Sequence, residues 1–337
     1  MGILDSTPRV TVLGSGRWGT AMAIFLSRRD CKVTLQCHLE SEYKQLSSKG
    51  RAPNLPGFDC EGKITFKLDL NEAIAGANLL VISTPVPFLR SVLKQITYLD
   101  PSTIIVTINK GIERETLQTV PEIVAEQFPK QRIAHLGGPC FPDGLLSNTT
   151  PVAETLACKD KELGIELQKL FSTKFFRVYL SSDLKGVAIM GALKNIYALV
   201  AGITDGMGMF EEVVSVIVTR GLSEMKRLCQ MMNVSTDTLY GLSGLGDLVL
   251  TCYSQKSSHN KNFGRMLGQG KTVNEVLAEM GNSIAEGYFT TKAVWEISKQ
   301  GNIDLPICRT AYQVLYEEKP IKEGMLELMN RPLKVED

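Results

Sequence analysis

The sequence has almost no net charge, only three histidines and no long uninterrupted hydrophobic run. Its 37 lysines and arginines stand against 36 aspartates and glutamates, which leaves a formal charge of +1. A protein that binds mainly nucleic acid needs a basic surplus to neutralise phosphates, so we expect no nucleic-acid partner. A local basic pocket for one small anion is compatible with this balance. Apolar residues make up 44% of the chain, which excludes a disordered protein and is typical of a folded one.

Cysteine and histidine lack the spacing of metal ligands. The eight cysteines include no Cys-x-x-Cys pair, and His38, His135 and His259 lie far apart in the chain. We therefore predict no metal site and interpret the cysteines as small buried apolar residues in a reducing compartment.

Targeting and membrane-spanning patterns are also missing. The first ten residues, MGILDSTPRV, show no basic region followed by an apolar one. The apolar stretches Val187–Leu193 and Ile196–Ile203 are interrupted by Lys194 and Asn195, and each falls short of the roughly 18 residues that span a bilayer. We expect a soluble, cytoplasmic protein without membrane insertion.

The chain alternates strand and helix patterns in its first half and is helical in its second. At about 150 residues per domain, 337 residues correspond to two domains. Strands that are apolar throughout, separated by helices, are typical of a parallel sheet covered on both faces. The predicted strands are Arg9–Leu13, Lys32–Gln36, Asn78–Ser83, Thr103–Ile108, Arg132–Leu136 and Phe176–Leu180. We predict an α/β fold, with a Rossmann-like, doubly wound dinucleotide-binding domain over residues 1–182 and an all-helical substrate-binding domain over residues 183–337.

A glycine-rich turn follows the first predicted strand. Gly14, Gly16 and Gly19 form a G-x-G-x-x-G pattern that ends a strand and opens a helix. In this context the first glycine permits a tight turn, the second lets the backbone approach a pyrophosphate, and the third permits close packing. The alternative is a plain glycine turn in a sheet protein. We favour a dinucleotide site, with Ser15, Arg17 and Trp18 completing the turn.

In dinucleotide-binding domains an acid about 20 residues after the glycine turn holds the ribose 2′-hydroxyl, and this sequence has no acid there. The second strand is followed by Cys37 and His38, and the first carboxylate is Glu40. The missing acid removes the repulsion against a 2′-phosphate, and a protonated His38 would pair with one. This favours NADP, or use of both NADP and NAD. The alternative is that His38 is a surface loop residue.

Two lysines and one aspartate stand where a solvated charge is not expected. Lys194 lies in an apolar helical stretch, so it either snorkels to the surface or faces an anion in a cleft. Lys110 follows a buried strand, at the edge where open α/β sheets bind ligands, although it also fits an ordinary loop lysine. Asp247 follows a glycine turn and precedes an apolar run. There it would either orient Lys194 or cap the helix that begins at Leu248.

Motifs distributed over almost the whole chain resemble the NAD(P)-dependent glycerol-3-phosphate dehydrogenase family, and its bacterial branch in particular. They run in order from about Val10 to Leu326. Beyond the glycine turn they are Asn109-Lys110-Gly111, Gly137-Gly138-Pro139, Ala192-Leu193-Lys194-Asn195, Thr219-Arg220-Gly221, Gly244-Leu245-Gly246-Asp247 and Glu286-Gly287.

The resemblance implies reversible reduction of dihydroxyacetone phosphate to sn-glycerol 3-phosphate with NAD(P)H, for glycerophospholipid synthesis. It makes Lys194 the general acid/base, assisted by Lys110 and Asp247. It also implies a homodimer formed through the helical domain. The implied substrate-binding residues are Gly138, Cys140, Asn195, Ser258, His259 and Asn260. The implied cofactor-binding residues are Gly14, Ser15, Gly16, Arg17, Trp18, Gly19, His38, Lys110, Pro142, Ile284 and Glu286.

The sequence departs from the family pattern near this site. His259 stands where the family has an arginine that grips the substrate phosphate, and Lys256 or Lys261 is a possible substitute. Cys140 and Pro142 replace the usual small and alanine residues, and Glu212 begins a segment that loses a base. These changes leave two alternatives, namely a relative that reduces another small phosphorylated ketone or a catalytically weakened dinucleotide-binding regulator.

Overall fold

Eight strands form one sheet in the computed structural model, which describes residues 7–50, 52, 55–60, 62–255, 258–281, 285–333 and 335. The strands are β1 (Arg9–Leu13), β2 (Lys32–Gln36), β3 (Ile64–Lys67), β4 (Leu79–Ile82), β5 (Ile104–Thr107), β6 (Ile133–Gly137), β7 (Val152–Cys158) and β8 (Phe176–Ser181). Their order is β3-β2-β1-β4-β5-β6-β7-β8. All neighbours are parallel except β6 and β7, which pair antiparallel.

The chain divides into two compact units. The first comprises Met1–Lys110 and Gln118–Ile189, and the second comprises Gly111–Leu117 and Met190–Asp337. The division falls within a long helix, whereas the sequence pattern placed the domain boundary at residues 182 and 183. That boundary stays a prediction.

The sheet of the first unit is covered by apolar side chains on both faces. Along β4, Leu79 and Val81 belong to one apolar cluster, and Leu80 and Ile82 belong to the other. Successive strand residues point to opposite faces, so a strand buried on both faces is apolar throughout. The helices of this unit are α1 (Arg17–Ser27), α2 (Glu40–Lys49), α3 (Leu70–Ile74), α4 (Val86–Leu93), α5 (Val120–Gln127), α6 (Pro142–Leu146) and α7 (Lys161–Phe171).

The regular elements among the described residues of the second unit are helices. Its helices are α8 (Leu184–Gly206, which begins in the first unit), α9 (Glu211–Met231), α10 (Thr236–Tyr240), α11 (Asp247–Tyr253), α12 (His259–Gly268), α13 (Val273–Met280), α14 (Glu286–Gly301), α15 (Pro306–Tyr316) and α16 (Ile321–Met329), with a π-helical turn at Leu242–Gly246. Helices α8 and α12 pack backbone against backbone. A Cβ atom on Gly264 would lie 1.9 Å from the Leu199 carbonyl oxygen, so this crossing requires glycine. The predicted fold class, a mostly parallel sheet followed by helices, is confirmed.

Two strands were missed by the sequence prediction, and the apolar segment of one predicted helix is longer than expected. The strands β3 and β7 were not predicted, because each carries polar side chains that mask the apolar run. Helix α8 passes through Lys194 and Asn195 without a break, and it is long and apolar enough to cross a membrane by composition. However, 94% of its most apolar window is buried within the fold, which is the property of a core helix.

Candidate functional site

The glycine turn of the first unit exposes backbone at the amino end of α1. Gly14 has a φ of +101°, a conformation that L side chains rarely adopt. A Cβ on Gly19 would lie 2.0 Å from the Gly14 carbonyl oxygen, whereas a Cβ on Gly16 would meet no atom within 4 Å. The third glycine is therefore required by packing, and the second leaves open space in front of the helix. This arrangement fits the pyrophosphate of a dinucleotide.

The other predicted cofactor residues of this region have different surroundings. The Arg17 side chain pairs with the Asp143 carboxylate, and Trp18 packs against the apolar core. His38 is exposed just beyond β2. The Ser15 hydroxyl donates to Glu42 of α2 over 2.5 Å. Sequence reasoning did not single out Glu42.

Lys110 and the residues after β6 meet at the carboxyl edge of the sheet. The Lys110 ammonium donates to the Gly138 carbonyl oxygen over 3.1 Å. Cys140 is buried, and Pro142 is the first residue of α6. The contact brings together Lys110 and Gly138, which the sequence placed in the catalytic and substrate-binding sets.

A buried histidine, His135, lies beneath this edge and was considered from the sequence only as a metal ligand. Its Nδ1 atom is 2.8 Å from the Thr107 hydroxyl. Burial, reinforced by the charge of Lys110, lowers the pKa of His135 to about 3, so the ring is neutral. A neutral imidazole adds no charge to this edge.

Lys194 is the centre of a buried polar group in the second unit. Its side chain does not snorkel, because the residue is only 5% exposed. The ammonium donates to the Asp247 carboxylate and, over 2.7 Å, to the Thr251 hydroxyl. A buried ammonium is tolerated when it is paired and hydrogen-bonded in this way.

Asp247 and Thr251 reach Lys194 from one short helix. The π-helical turn Leu242–Gly246 leads directly into α11, so Asp247 is the first residue of that helix and not its cap. The Thr251 hydroxyl also donates to the Asp247 backbone carbonyl over 2.6 Å, which fixes its direction. Sequence reasoning missed Thr251. The available signal was its position one helical turn after Asp247, on the same face.

Asn195 and Asn260 lie on either side of the amino end of α14. The Asn260 side-chain oxygen accepts a hydrogen bond from the Gly287 amide over 2.7 Å. A Cβ on Gly287 would lie 2.5 Å from the Asn195 carbonyl oxygen. The predicted residues Asn195, Asn260 and Glu286, which precedes Gly287, are thus neighbours in the fold.

The amino end of α12 carries one of the departures from the pattern that the resemblance implies, His259. Ser258 caps the helix by accepting a hydrogen bond from the Lys261 amide over 3.2 Å. His259 is exposed. The Lys261 ammonium is buried, and its nearest carboxylate, on Asp205, is 4.0 Å away. Burial lowers the pKa of Lys261, so its charge is held less firmly than that of an exposed lysine.

Two predicted residues, Ile284 and Lys256, lie outside the described residues. Over the part of the chain that the structure describes, no group of three or more histidine, cysteine, aspartate or glutamate side chains is placed to hold a metal ion. All eight cysteines are free thiols, and seven of them are buried.

Comparisons with known proteins match both halves of the chain. The family model of the NAD-dependent glycerol-3-phosphate dehydrogenase N-terminus matches residues 9–164, and the model of its C-terminus matches residues 183–326. The chain is 39% identical to "Glycerol-3-phosphate dehydrogenase [NAD(P)+]" of Geobacter metallireducens, over 97% of this chain and 98% of that one. A protein of the same name from Citrifermentans bemidjiense is 37% identical, over 97% and 98% of the two chains.

A solved structure has the same fold along its whole length. It is the glycerol-3-phosphate dehydrogenase of Coxiella burnetii, with a TM-score of 0.89 and 29% identity. The match covers 96% of this chain and 99% of that one. The likeness therefore extends through the sheet and the helical region alike.

Proposed function

Because the chain belongs to the NAD-dependent glycerol-3-phosphate dehydrogenase family, we propose that it interconverts dihydroxyacetone phosphate and sn-glycerol 3-phosphate. The family uses NAD or NADP. The observation that carries the proposal is the buried ammonium of Lys194, held by Asp247 and Thr251. An alternative use for a paired lysine at this depth would be structural, in which case a Lys194→Ala protein that still unfolds cooperatively would keep its activity.

Lys194 is the proton donor of the proposed reduction. When bound, the reduced nicotinamide supplies the hydride that the substrate carbonyl carbon accepts. The carbonyl oxygen then gains negative charge and takes a proton from the Lys194 ammonium, and the reverse reaction returns that proton. Asp247 and Thr251 hold the ammonium in one direction, which lowers the entropy that must be lost at the moment of reaction.

The substrate contacts are assigned by the resemblance to the family. We propose that Lys110 assists Lys194 and Asp247 in the reaction and that His259 also contacts the substrate. The remaining substrate contacts are Gly138, Cys140, Asn195, Ser258 and Asn260. Support comes from the Lys110 contact with Gly138 and from the placement of Asn195 beside Asn260 and Gly287.

The dinucleotide is assigned to the glycine turn. Gly14, Ser15, Gly16, Arg17, Trp18 and Gly19 would hold its phosphates, with His38, Lys110, Pro142, Ile284 and Glu286 as further contacts. The open space in front of Gly16 supports this assignment. We also propose a cytoplasmic homodimer that supplies glycerophospholipid synthesis.

The test is an absorbance assay with purified protein. Dihydroxyacetone phosphate should drive oxidation of NADH or NADPH, and Lys194→Ala should abolish it. Lys299→Ala, which removes an exposed lysine from α14, is the control and should leave the rate unchanged. A wild-type protein that binds either cofactor but does not oxidise it would contradict the proposal and favour a non-catalytic regulator.

A second candidate substrate is another small phosphorylated ketone. The observation that favours it is His259, which is exposed at the amino end of α12, where the resemblance implies an arginine. Histidine lacks the bidentate fork with which arginine grips a phosphate. A panel of phosphorylated ketones in the same assay distinguishes the two substrates by kcat/KM.

A further inference from the structure

Glu42, at the start of α2, places a carboxylate beside the glycine turn. In Rossmann-like domains the ribose 2′-hydroxyl donates to an acid near the carboxyl end of the second strand. That place holds no acid in β2 or directly after it. Helix α2 begins at Glu40, and its first turn brings Glu42 back over the glycine turn, where its carboxylate accepts a hydrogen bond from Ser15 over 2.5 Å.

The charge of the same carboxylate is also felt by the residue that follows β2. Cys37, the residue that follows β2, is buried, and its neighbours include Ser15 and Glu42. Burial raises the pKa of the Cys37 thiol to about 11, and the charge of Glu42 adds to the effect. Glu42 therefore lies near both the glycine turn and the end of β2. In the sequence it comes later than the position at which the pattern expects an acid.

We infer that Glu42 is the residue that selects NAD over NADP, by accepting a hydrogen bond from the ribose 2′-hydroxyl and repelling a 2′-phosphate. The inference rests on the proposed dinucleotide binding. A carboxylate offers about four acceptor positions, so the hydrogen bond from Ser15 leaves room for a second donor. A 2′-phosphate has no proton to donate near neutral pH and would bring up to two negative charges against the carboxylate.

Several polar groups around this place already have carboxylate partners of their own. The Ser15 hydroxyl, which would otherwise donate to a phosphate, donates to Glu42. Among the described cations nearby, Arg17 pairs with Asp143, Lys44 with Glu40, and Lys67 with Glu72. His38 is exposed on the same edge, and it is the residue from which the sequence favoured NADP. The dinucleotide preference of a His38→Ala variant is therefore part of the test.

The experiment measures dinucleotide binding without substrate, by the fluorescence of NADH and NADPH titrated with the full-length protein. Wild type should bind NADH more tightly than NADPH. Glu42→Gln keeps the shape of the side chain and removes its charge, and it should reduce this preference on the order of tenfold to a hundredfold. Glu162→Gln, which removes an exposed carboxylate from the first turn of α7, is the control and should leave the preference unchanged.

Two further results decide the inference. Glu42→Lys should bind NADPH more tightly than wild type does. A wild-type protein that prefers NADPH, and loses that preference in His38→Ala, would overturn the role of Glu42 and leave the proposed function intact. A protein that binds neither dinucleotide would overturn both.

Discussion

The Lys194 ammonium donates to the carboxylate of Asp247, and the two side chains are only 6% and 1% exposed. The residues are 53 positions apart in the sequence and reach each other from α8 and α11. Each charge has lost its hydration on burial, so neither is stable at this depth without the other. The pair thus links the stability of the helical unit to the group that we propose as its acid.

The pair should show strong energetic coupling. Asp247→Asn leaves a buried ammonium without its counter-charge, and we expect a loss of about 3 kcal/mol in the free energy of unfolding. Lys194→Met should cost a similar amount. The double variant should be more stable than the sum of the two losses predicts, as measured by urea denaturation. Additive losses would contradict the pairing.

Thr251 should matter for turnover more than for substrate binding. Thr251→Val removes the oxygen that accepts from Lys194 at 2.7 Å and keeps the shape of the side chain. We expect kcat to fall by about tenfold to a hundredfold, because an ammonium loses one hydrogen bond. KM for dihydroxyacetone phosphate should change less. Thr251→Ser retains the oxygen and is the control, and equal rates for the two variants would refute the role of the hydroxyl.

The two glycines of the turn should respond differently to alanine. Gly19→Ala places a Cβ 2.0 Å from the Gly14 carbonyl oxygen, so the turn must move. We expect a large drop in melting temperature. Gly16→Ala adds its Cβ in open space and should melt near wild type, yet bind NADH weakly because the methyl group occupies the approach to the backbone. Thermal melts and NADH fluorescence measure both effects, and equal melting temperatures would argue against the packing role of Gly19.

Glu224 should make the protein less stable as pH rises through neutrality. It is buried on α9 and accepts hydrogen bonds from the backbone amides of Ile307 and Cys308 at 2.6 and 3.2 Å. Burial raises its pKa from 4.5 to about 7. The folded protein therefore binds a proton more tightly than the unfolded chain does, so the stability from this group is complete below about pH 4.5 and is lost as pH rises to about 7.

The pH profile of unfolding checks this prediction. The raised pKa of Glu224 corresponds to a change of about 3 kcal/mol in the free energy of unfolding as the pH rises from about 4.5 to about 7. In Glu224→Gln this part of the slope should disappear from urea denaturation curves. Glu212→Gln, at an exposed position of the same helix, should keep the wild-type slope. An unchanged slope in Glu224→Gln would show that another group titrates.

Replacing His259 by arginine should improve phosphate binding. In His259→Arg we expect KM for dihydroxyacetone phosphate to fall by about tenfold, because arginine is always charged and binds phosphate in a bidentate manner. His259→Gln is the control for a change of side chain without new charge. If KM rises in His259→Arg while another phosphorylated ketone is reduced well, the second candidate substrate is favoured.

Much of the fold and part of the site follow from local patterns. The strand Arg9–Leu13 and the glycine turn after it were predicted, because unbroken apolar residues and glycine spacing are properties of adjacent residues. The strands β3 and β7 were not predicted, since the polar residues in each hide the pattern, and only pairing with a neighbouring strand defines them. Thr251 was missed for a related reason. Its importance comes from a contact with α8 and not from its own surroundings in the chain.

The sequence by itself determined the alternating and then helical order of elements, the glycine-rich turn and the unusual position of Lys194. These features depend on the periodicity of residues and on the charges of near neighbours in the chain, so they can be recognised without knowing the fold. Only the tertiary structure decided that Asp247 and Thr251 hold Lys194 and that Glu42 reaches Ser15 across 27 residues. The physical reason is that a hydrogen bond depends on distance in space, and that distance is set by how helices and strands pack.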